Sequence, residues 1–527
     1  MATAHPFSLP QPTRIAAVAL LACAAPALTN AAPLTERAAL ERALAANFSL
    51  RVEALAPEIA AAEVHVEESA FLPVIFAEAN YEDNKKSQNS IDFAALQQRL
   101  FREENTVVRG GVGGRLPWGT SYEFSAQLSE LDNSVNRAGL PNALFSPEYV
   151  AFTGVTLKQP LLRGFGRGAN LSALRVARAQ LLITERARQV AVNNKSVEVL
   201  NAFYDLAYAE ANVEVKAGAL QVAERFLQET TRRRELGFLS PVDVAEARVR
   251  VSEATEELLL AKDFHRERQL EIVRLLALEP EADGSTPRPT VQADLLSAPP
   301  MVQMQDFLSA ALEHRPDYLL ARERIEQEKF RRAAARNERL PQLDVHFSYG
   351  LHGLQASYED ALDFAFRGRE PQWGMGVSVS IPLSRREGRA KAVAAQARVR
   401  QAELQETELE RRIALEVENA VRRLEVLGQR LETARSSVNF AAEGLKLEEA
   451  RLEQGQTSGF AVAELQRRLA DARTRELAAR VDLTKAVTEL WSVSGRLFEK
   501  HGIEVVSRVD DRSGGFSVMA PFDAMMR

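Results

Sequence analysis

The sequence predicts a mainly α fold with a small set of membrane β-strands, arranged as two copies of one strand-and-long-helix unit. The duplication is the first observation: Pro160 and Gly166 recur as Pro382 and Gly388, and other residues recur at matching spacings. The second is two long stretches without proline that are rich in Ala, Leu, Glu and Arg. The third is strict apolar/polar alternation, which is typical of strands. Two such units in one chain indicate a symmetric, elongated assembly rather than a catalytic globule.

The predicted organisation follows these repeats and the composition around them. It consists of a signal peptide at 1–32, a first repeat at 33–278, a Pro-rich linker at 279–301, a second repeat at 302–498 and a C-terminal tail at 499–527.

The N-terminus is predicted to be an export signal, because Arg14 precedes the apolar run 15–25 and small residues follow up to Ala32. Cys23 lies in a segment that resembles a lipobox, where the cysteine becomes the lipidated first residue of the mature chain. Alternatively, Cys23 is removed with the signal, since apolar residues continue to Leu28. Either outcome leaves the mature chain without a disulfide.

Charge and composition exclude several classes of function. The net charge is −6 with both signs mixed, so no nucleic-acid partner is predicted. No run of 18 apolar residues follows residue 32, which argues against a transmembrane helix. The seven histidines show neither an HExxH motif nor metal-ligand spacing, and the glycines at 111–114 lie in a strand rather than in a phosphate loop. We therefore predict no cofactor, no metal and no enzyme activity.

Each repeat is predicted to contain one very long helix, over about Ala169–Leu236 and about Ala390–Gln454. At 1.5 Å per residue each would be roughly 100 Å long. A shorter helix precedes the strands of each repeat, over about Thr35–Ser69 and Gln303–Arg339, and another returns from the end of the long helix. Apolar residues on the long helices follow a heptad spacing, which indicates coiled-coil packing. These positions are Val199, Ala202, Leu206, Ala209, Val213, Leu220, Ala223 and Leu227, then Ile413, Val417, Ala420, Leu424, Leu427, Leu431, Ala434, Val438, Ala441 and Leu445.

A tight turn is predicted where each long helix ends. Gly237 suits a left-handed C-terminal cap, and Ser240 suits the N-cap of the returning helix, with Pro241 first and Asp243 third in that helix. The corresponding turn of the second repeat contains Gly455, Ser458 and Gly459.

Strands are predicted between the short and the long helix of each repeat. Segments 342–351 and 372–381 alternate strictly and carry aromatics, as outer-membrane strands do, although a half-buried sheet in a soluble domain is the alternative. The first repeat offers 71–81 and 149–159, with an inserted hairpin within 84–148. Four strands, or six with the hairpin, cannot enclose a water-filled lumen alone, and lipid does not tolerate open sheet edges. An oligomer sharing one barrel is therefore predicted, and three copies of four strands would give twelve.

With these elements in place, the chain resembles the TolC-like outer-membrane efflux proteins over about Leu34–Phe498. The resemblance rests on the duplicated element order, on Gln159–Gly166 leaving a strand with its echo Ile381–Leu383, and on the turn motif from Gly237 to Ala247, echoed from Gly455 onward. It implies a homotrimer with a β-barrel in the outer membrane, continued by a periplasmic α-helical barrel. It also implies a periplasmic adaptor protein and an inner-membrane pump or ABC exporter as partners. The inserted hairpin departs from the family's twelve-strand pattern and leaves the strand count open.

The resemblance further implies a passive export duct that is gated at the helical turns. In the family, acidic residues six and nine positions after the turn glycine close the constriction or select what passes through it. The two turns of this chain give four such positions. Three of them are acidic, Asp243, Glu246 and Glu464, and the fourth is Ala461. Asp243 has a competing role as the capping partner of Ser240. Adaptor docking, or a purely structural capping role, is expected for the turn residues Gly237, Leu239, Ser240, Gly455, Ser458 and Gly459.

A different class of protein is the alternative interpretation: a periplasmic coiled-coil scaffold or adaptor without a pore. An adaptor would carry one helical hairpin, so two hairpins in matching register count against it. The sequence leaves the cargo open.

Overall fold

The computed structural model describes residues 33–90, 99–134, 145–281, 283–368, 370–454 and 456–503. The chain forms two compact units. The helical unit contains the chain up to Asn47, Val199–Leu295 and Ala434–Val481. The sheet unit contains Phe48–Glu198, Leu296–Thr433 and the chain from Asp482 onward. The predicted signal with Cys23, and the tail beyond residue 503, lie outside the described residues.

The first predicted helix is divided into three pieces: α1 (Glu36–Ala46), α2 (Phe48–Glu53) and α3 (Leu55–Ser69). α1 ends at Asn47, whose backbone is extended and whose side-chain amide donates a buried 2.8 Å hydrogen bond to the Leu275 carbonyl. Because that contact joins residues distant in sequence, helix periodicity alone does not reveal this break.

The sheet of the sheet unit has six antiparallel strands paired in chain order. The inserted hairpin supplies the second and third strands, so it widens the sheet rather than leaving it at four strands. The strands are β1 (Val74–Ser87), β2 (Leu100–Arg115), β3 (Ser121–Asn133), β4 (Glu148–Pro160), β5 (Gln342–Gln355) and β6 (Pro371–Ser380).

One face of this sheet carries an apolar band that crosses all six strands, because the register aligns the alternating residues; beyond this band the same face is charged, with Asp83, Lys85, Glu104 and Glu130. The other face is polar: it carries Glu78 paired opposite Arg109, and a 2.9 Å ion pair between Lys158 and Asp344. On the apolar face, four side chains of β6 are more than half exposed: Trp373, Met375, Val377 and Val379. One cross-strand row of this face consists of Ile75, Val112, Phe124, Val155, Tyr349 and Trp373.

Two long helices and their shorter partners account for most of the remaining chain. In the first repeat, α4 (Gly166–Asn170) leads into α5 (Ser172–Glu235), and α6 (Pro241–Leu275) returns from it. Among the described residues, no helix is both long enough and apolar enough to cross a bilayer. In the second repeat, α10 (Arg386–Glu453) is followed by α11 (Gly459–Val493) and α12 (Leu497–Lys500), while α9 (Tyr358–Phe366) lies between β5 and β6.

The second short helix is also broken, into α7 (Met304–His314) and α8 (Pro316–Glu338). Arg315 between them is extended, as expected for a residue that precedes a proline. Its guanidinium is largely buried and pairs with Asp317 at 2.7 Å and with Glu416 at 2.6 Å. The break thus places a cation where two carboxylates from different helices meet it.

The heptad positions are buried along only part of each long helix. Val199 and Leu206 of α5 and Ile413 of α10 are fully buried, whereas Leu227 and the positions from Ala434 to Leu445 are half-buried. Lys216, which interrupts the first seam, donates a 2.9 Å hydrogen bond to Glu257 of α6. The seam towards each turn is therefore incompletely covered by this chain.

The linker 279–301 is irregular and is held to the helical unit by specific hydrogen bonds. Gln269 donates to the Pro289 carbonyl at 3.1 Å, and the Val291 N–H donates to the Glu210 carboxylate at 3.2 Å. Burial raises the pKa of Glu210 to about 7. The His265 Nε2 lies 3.7 Å from the same carboxylate, and burial lowers the pKa of His265.

Candidate functional site: the helical turns and their acidic groove

The turn between α5 and α6 is a complete Schellman motif. Gly237 has φ +80°, its N–H donates to the Arg234 carbonyl, and the Phe238 N–H donates to the Arg233 carbonyl, both at 2.9 Å. Leu236 and Phe238 are 64% and 76% exposed, so the turn presents two unpartnered apolar side chains. Sequence reasoning selected Leu239 instead, which the structure leaves half-buried.

Asp243 closes the capping box at the start of α6. The Ser240 N–H donates to its carboxylate at 2.7 Å, and the Asp243 N–H is 3.4 Å from the Ser240 hydroxyl. The Ser240 N–H is the main cause that lowers the pKa of Asp243, and the Ser240 hydroxyl adds to it. The capping role is therefore the one that this geometry favours for Asp243.

The turn between α10 and α11 repeats part of this pattern. The Gln456 N–H donates to the Arg451 carbonyl at 2.9 Å, as Phe238 does in the first repeat. Ser458 precedes α11, with its hydroxyl 3.4 Å from the Ala461 N–H. Gly459 begins the helix, where a β-carbon would lie 2.9 Å from the Phe226 ring. Gly455 lies outside the described residues.

Glu246 and Glu464 line the same groove, between α6 and α11. The groove has a volume of about 390 Å³ and also contains Arg250, Phe460 and Arg467. Asp243 is not among its lining residues. The structure therefore brings together two of the three predicted gate residues, one from each repeat.

Two arginines neutralise Glu464. Arg467 lies 3.0 Å from its carboxylate and Arg468 lies 3.1 Å from it, one turn further along α11. The Arg467 guanidinium, followed by that of Arg468, lowers the pKa of Glu464 to about 2. Sequence reasoning missed both arginines, although their three- and four-residue spacing from Glu464 is a recognisable helix pair.

A third arginine stacks on an aromatic ring in the same groove. The Arg250 guanidinium lies 4.3 Å from the Phe460 ring centre and 6.0 Å from that of Phe226. This is cation–π geometry, which holds a positive charge beside the two glutamates. Arg233, which precedes the first turn, instead pairs with Glu229 of its own helix at 2.9 Å.

No group of three or more histidine, cysteine, aspartate or glutamate side chains that could hold a metal ion occurs within the described part of the chain. The arrangement consists of two capped turns and a mixed-charge groove.

These features define an outer-membrane channel protein: a six-stranded sheet with one apolar face, and long paired helices that reverse at two matched turns. The chain belongs to the outer membrane efflux protein family, whose model matches residues 39–278 and 307–496. It is accordingly an outer-membrane transport protein with a periplasmic portion, and not an enzyme. The family assignment favours this class over the pore-free scaffold interpretation.

Individual relatives agree with this family. The chain is 24% identical over 405 residues to the cobalt-zinc-cadmium resistance protein CzcC of Cupriavidus metallidurans, covering 72% of this chain and 88% of that protein. Among solved structures, a membrane protein from Pseudomonas aeruginosa matches with TM-score 0.62 and 20% identity, covering 87% of this chain and 93% of its own. The outer membrane protein VceC of Vibrio cholerae matches with TM-score 0.62 and 17% identity, covering 87% and 96%.

Proposed function

We propose that three copies of this chain form a passive exit duct that is gated at the helical turns. In this proposal a periplasmic adaptor docks at the turns, and an inner-membrane pump or ABC exporter supplies the energy. The observation that carries the proposal is the six-stranded sheet, which has an apolar band across one face and two open edges.

The open edges support a barrel shared between copies. β1 and β6 each have one unpaired edge, and a bilayer does not tolerate unpaired backbone groups. Pairing β1 of each copy with β6 of the next closes the sheet, and three copies of six strands give eighteen strands. Barrels of about 16–18 strands leave an aqueous channel, whereas about eight strands fill with side chains. The inserted hairpin would thus widen the exit beyond the family's twelve strands.

Two exposed apolar stripes on helices of the sheet unit support the same assembly. On α10, four side chains that are more than half exposed recur every eleven residues: Val393, Leu404, Leu415 and Val426. On α2 and α3, the exposed residues follow heptad-like spacing. Helix stripes of this kind need an apolar partner, and a neighbouring copy supplies one. The second stripe consists of Phe48, Val52, Leu55, Ile59 and Val66.

The groove and turns support a gate and a docking surface. Threefold symmetry would repeat Glu246, and the Glu464 group with its arginines, around one axis. Such rings select ions by charge. The exposed Leu236 and Phe238 give an adaptor apolar anchors that lie next to capped, rigid backbone.

Similarity to CzcC supports divalent metal cations as the class of cargo. Deleting the gene should lower the tolerance of its host to cobalt, zinc or cadmium, while tolerance to an organic dye stays unchanged. Equal loss of tolerance to dye and metal would favour a broad-range duct. Unchanged metal tolerance would remove metals from the proposal.

The duct itself is tested by purifying the detergent-extracted protein, measuring its mass and reconstituting it in a planar bilayer. We expect a trimer that shows stepwise conductance. A stable monomer, or a trimer without conductance under any membrane potential, would contradict the proposal.

A further inference from the structure

The short helix α9 folds back onto the apolar face of the sheet, at the end where β5 stops and β6 begins. Its Ala361 and Ala365 are fully buried and pack with Ala151 of β4. The contact is close because β5 has a glycine there: a β-carbon on Gly353 would lie 2.0 Å from the Ala361 carbonyl oxygen. Since Ala151 and Gly353 belong to the apolar face, α9 lies on the side of the sheet that would meet lipid.

The helix has one apolar and one acidic side. Tyr358, Leu362 and Phe366 recur every four residues and therefore form a row along one side. Phe366 at the end of this row is 67% exposed. Asp360 and Asp363 are also exposed. Asp360 lies about 120° around the helix from Phe366, whereas Glu359, seven residues before Phe366, lies on the same side as that ring. An exposed phenylalanine that continues the row from a packed leucine needs an apolar environment outside this chain.

A pair of tyrosines fixes the start of α9 to the sheet. Tyr358 donates a 3.0 Å hydrogen bond to Glu130 of β3, and Tyr149 of β4 lies 3.4 Å from the same carboxylate. The two rings meet edge to face, with centres 4.4 Å apart. Tyrosines with an apolar ring and a bonded hydroxyl are typical of the boundary between lipid and water.

We propose that α9 is an interfacial helix that lies in the headgroup region of the outer membrane, with Phe366 inserted among the acyl chains. The inference rests on the proposed barrel and adds a lipid contact outside its strands. Lipid is the occupant that the observations favour, because α9 continues the apolar face of the sheet while its acidic side remains free for water. Held in this way, α9 would fix the depth of the barrel at one edge of the bilayer.

Single-cysteine spin labels in reconstituted protein test this placement. The only native cysteine, Cys23, lies in the predicted signal, and the unlabelled parent chain checks that it contributes no label. Labels are introduced by Phe366→Cys and by the control Asp360→Cys, about 120° around the same helix. The cap from the Asp360 N–H to the Ser357 hydroxyl does not need the Asp360 carboxylate. Val377→Cys reports on the sheet's apolar face. Collisions with oxygen, which concentrates in lipid, are compared with collisions with a water-soluble nickel chelate.

We expect the oxygen-to-nickel collision ratio at position 366 to exceed that at position 360 several-fold and to approach that at position 377. Equal ratios at 366 and 360, with a high ratio at 377, would overturn the interfacial helix and leave the barrel intact. A low ratio at 377 as well would show that the proposed barrel itself had failed. Low collision rates with both reagents at 366 would indicate a protein partner and would also overturn the lipid contact. Phe366→Trp, quenched by brominated lipid beyond the parent's background, gives an independent check without cysteine.

Discussion

The Glu464 carboxylate lies 3.0 Å from the guanidinium of Arg467, one turn further along α11. Because Arg468 also contacts this carboxylate, at 3.1 Å, this predicted gate acid contributes little free negative charge to the groove. Glu246, on the opposite wall, is exposed. The two glutamates occupy matching places in the repeats but differ in electrostatic surroundings.

Glu464→Gln should therefore change ion selectivity more than stability. Removing the carboxylate frees two arginines, so the channel should shift towards anions, while an exposed ion pair contributes only about 0.2–1 kcal/mol to folding. Reversal potentials in a salt gradient measure the shift. Glu246→Gln is the matched control and should shift selectivity less, because no arginine is released. Identical reversal potentials for all three proteins would remove both residues from the ion path.

Gly218 within α5 and Gly237 in the turn just after it should respond in opposite ways to alanine. Gly237→Ala forces a β-carbon into a left-handed conformation and should destabilise the turn by about 1–2 kcal/mol. Gly218→Ala lies within the helix, with no neighbour within 4 Å of the added carbon, and should stabilise by up to about 1 kcal/mol. Hydrogen exchange of the amides at 233–238 and 214–222 would measure both effects. A neutral Gly237→Ala would argue against the Schellman turn.

The burial of Glu210 should make the helical unit less stable as pH rises, because burial, and not the hydrogen bond from Val291, raises its pKa. The pKa of Glu210 is raised to about 7 in the folded chain from an ordinary value of 4.5, so the folded state holds the extra proton between these values. Stability is then lost as pH rises from about 4.5 to 7, by on the order of 1 kcal/mol after solvent screening. Thermal unfolding at pH 5 and pH 8 measures the loss.

Glu210→Gln should abolish this component of the pH dependence. His265→Asn is the necessary control: the lowered pKa of His265 acts in the opposite direction, favouring the folded chain as pH rises through the histidine range. If Glu210→Gln keeps the full parental pH dependence, the titrating group lies elsewhere.

The two faces of β6 should differ in their tolerance of charge. Val377→Arg puts a cation on the apolar face and should cost about 2–4 kcal/mol if that face meets the lipid midplane. Ser378→Arg, on the adjacent polar face, loses only a 2.9 Å contact with His346 and should assemble nearly normally. The yield of trimer in outer-membrane fractions distinguishes them. Equal yields would count against the barrel.

The long helices and strands could be predicted because their signals are local. Heptad spacing defines α5 and α10, and alternation defines β5 and β6. The break at Arg315 was not predicted, although the Pro316 that follows it is a local signal that could have revealed it. The division at Asn47 has no such signal, because it depends on a hydrogen bond to Leu275. Helix α9 escaped prediction because nine residues are too few to establish a helical period.

The site was predictable to the extent that the repeats mirror each other. Equivalent positions identified Glu246 and Glu464, and the structure places both in one groove. Asp243 follows the same family pattern, yet its carboxylate is used by the Ser240 cap. The hydrogen bonds that a side chain forms locally therefore determine whether it acts as a helix cap or as a gate residue. The position of the residue in a sequence motif does not contain that information. The exposed Leu236 and Phe238 were missed because exposure depends on the turn geometry.

The edge strands of the sheet differ in length, with fourteen residues in β1 and ten in β6. If β1 of one copy pairs with β6 of the next, the ladder of hydrogen bonds between the copies can be no longer than β6, the shorter strand. The far end of β1, with Asn84, Lys85 and Lys86, then projects past the seam while remaining paired to β2 on its other side. Lysines on a free strand edge discourage pairing with foreign chains. The mismatch would therefore protect the mouth of the assembly against aggregation at three symmetry-related points.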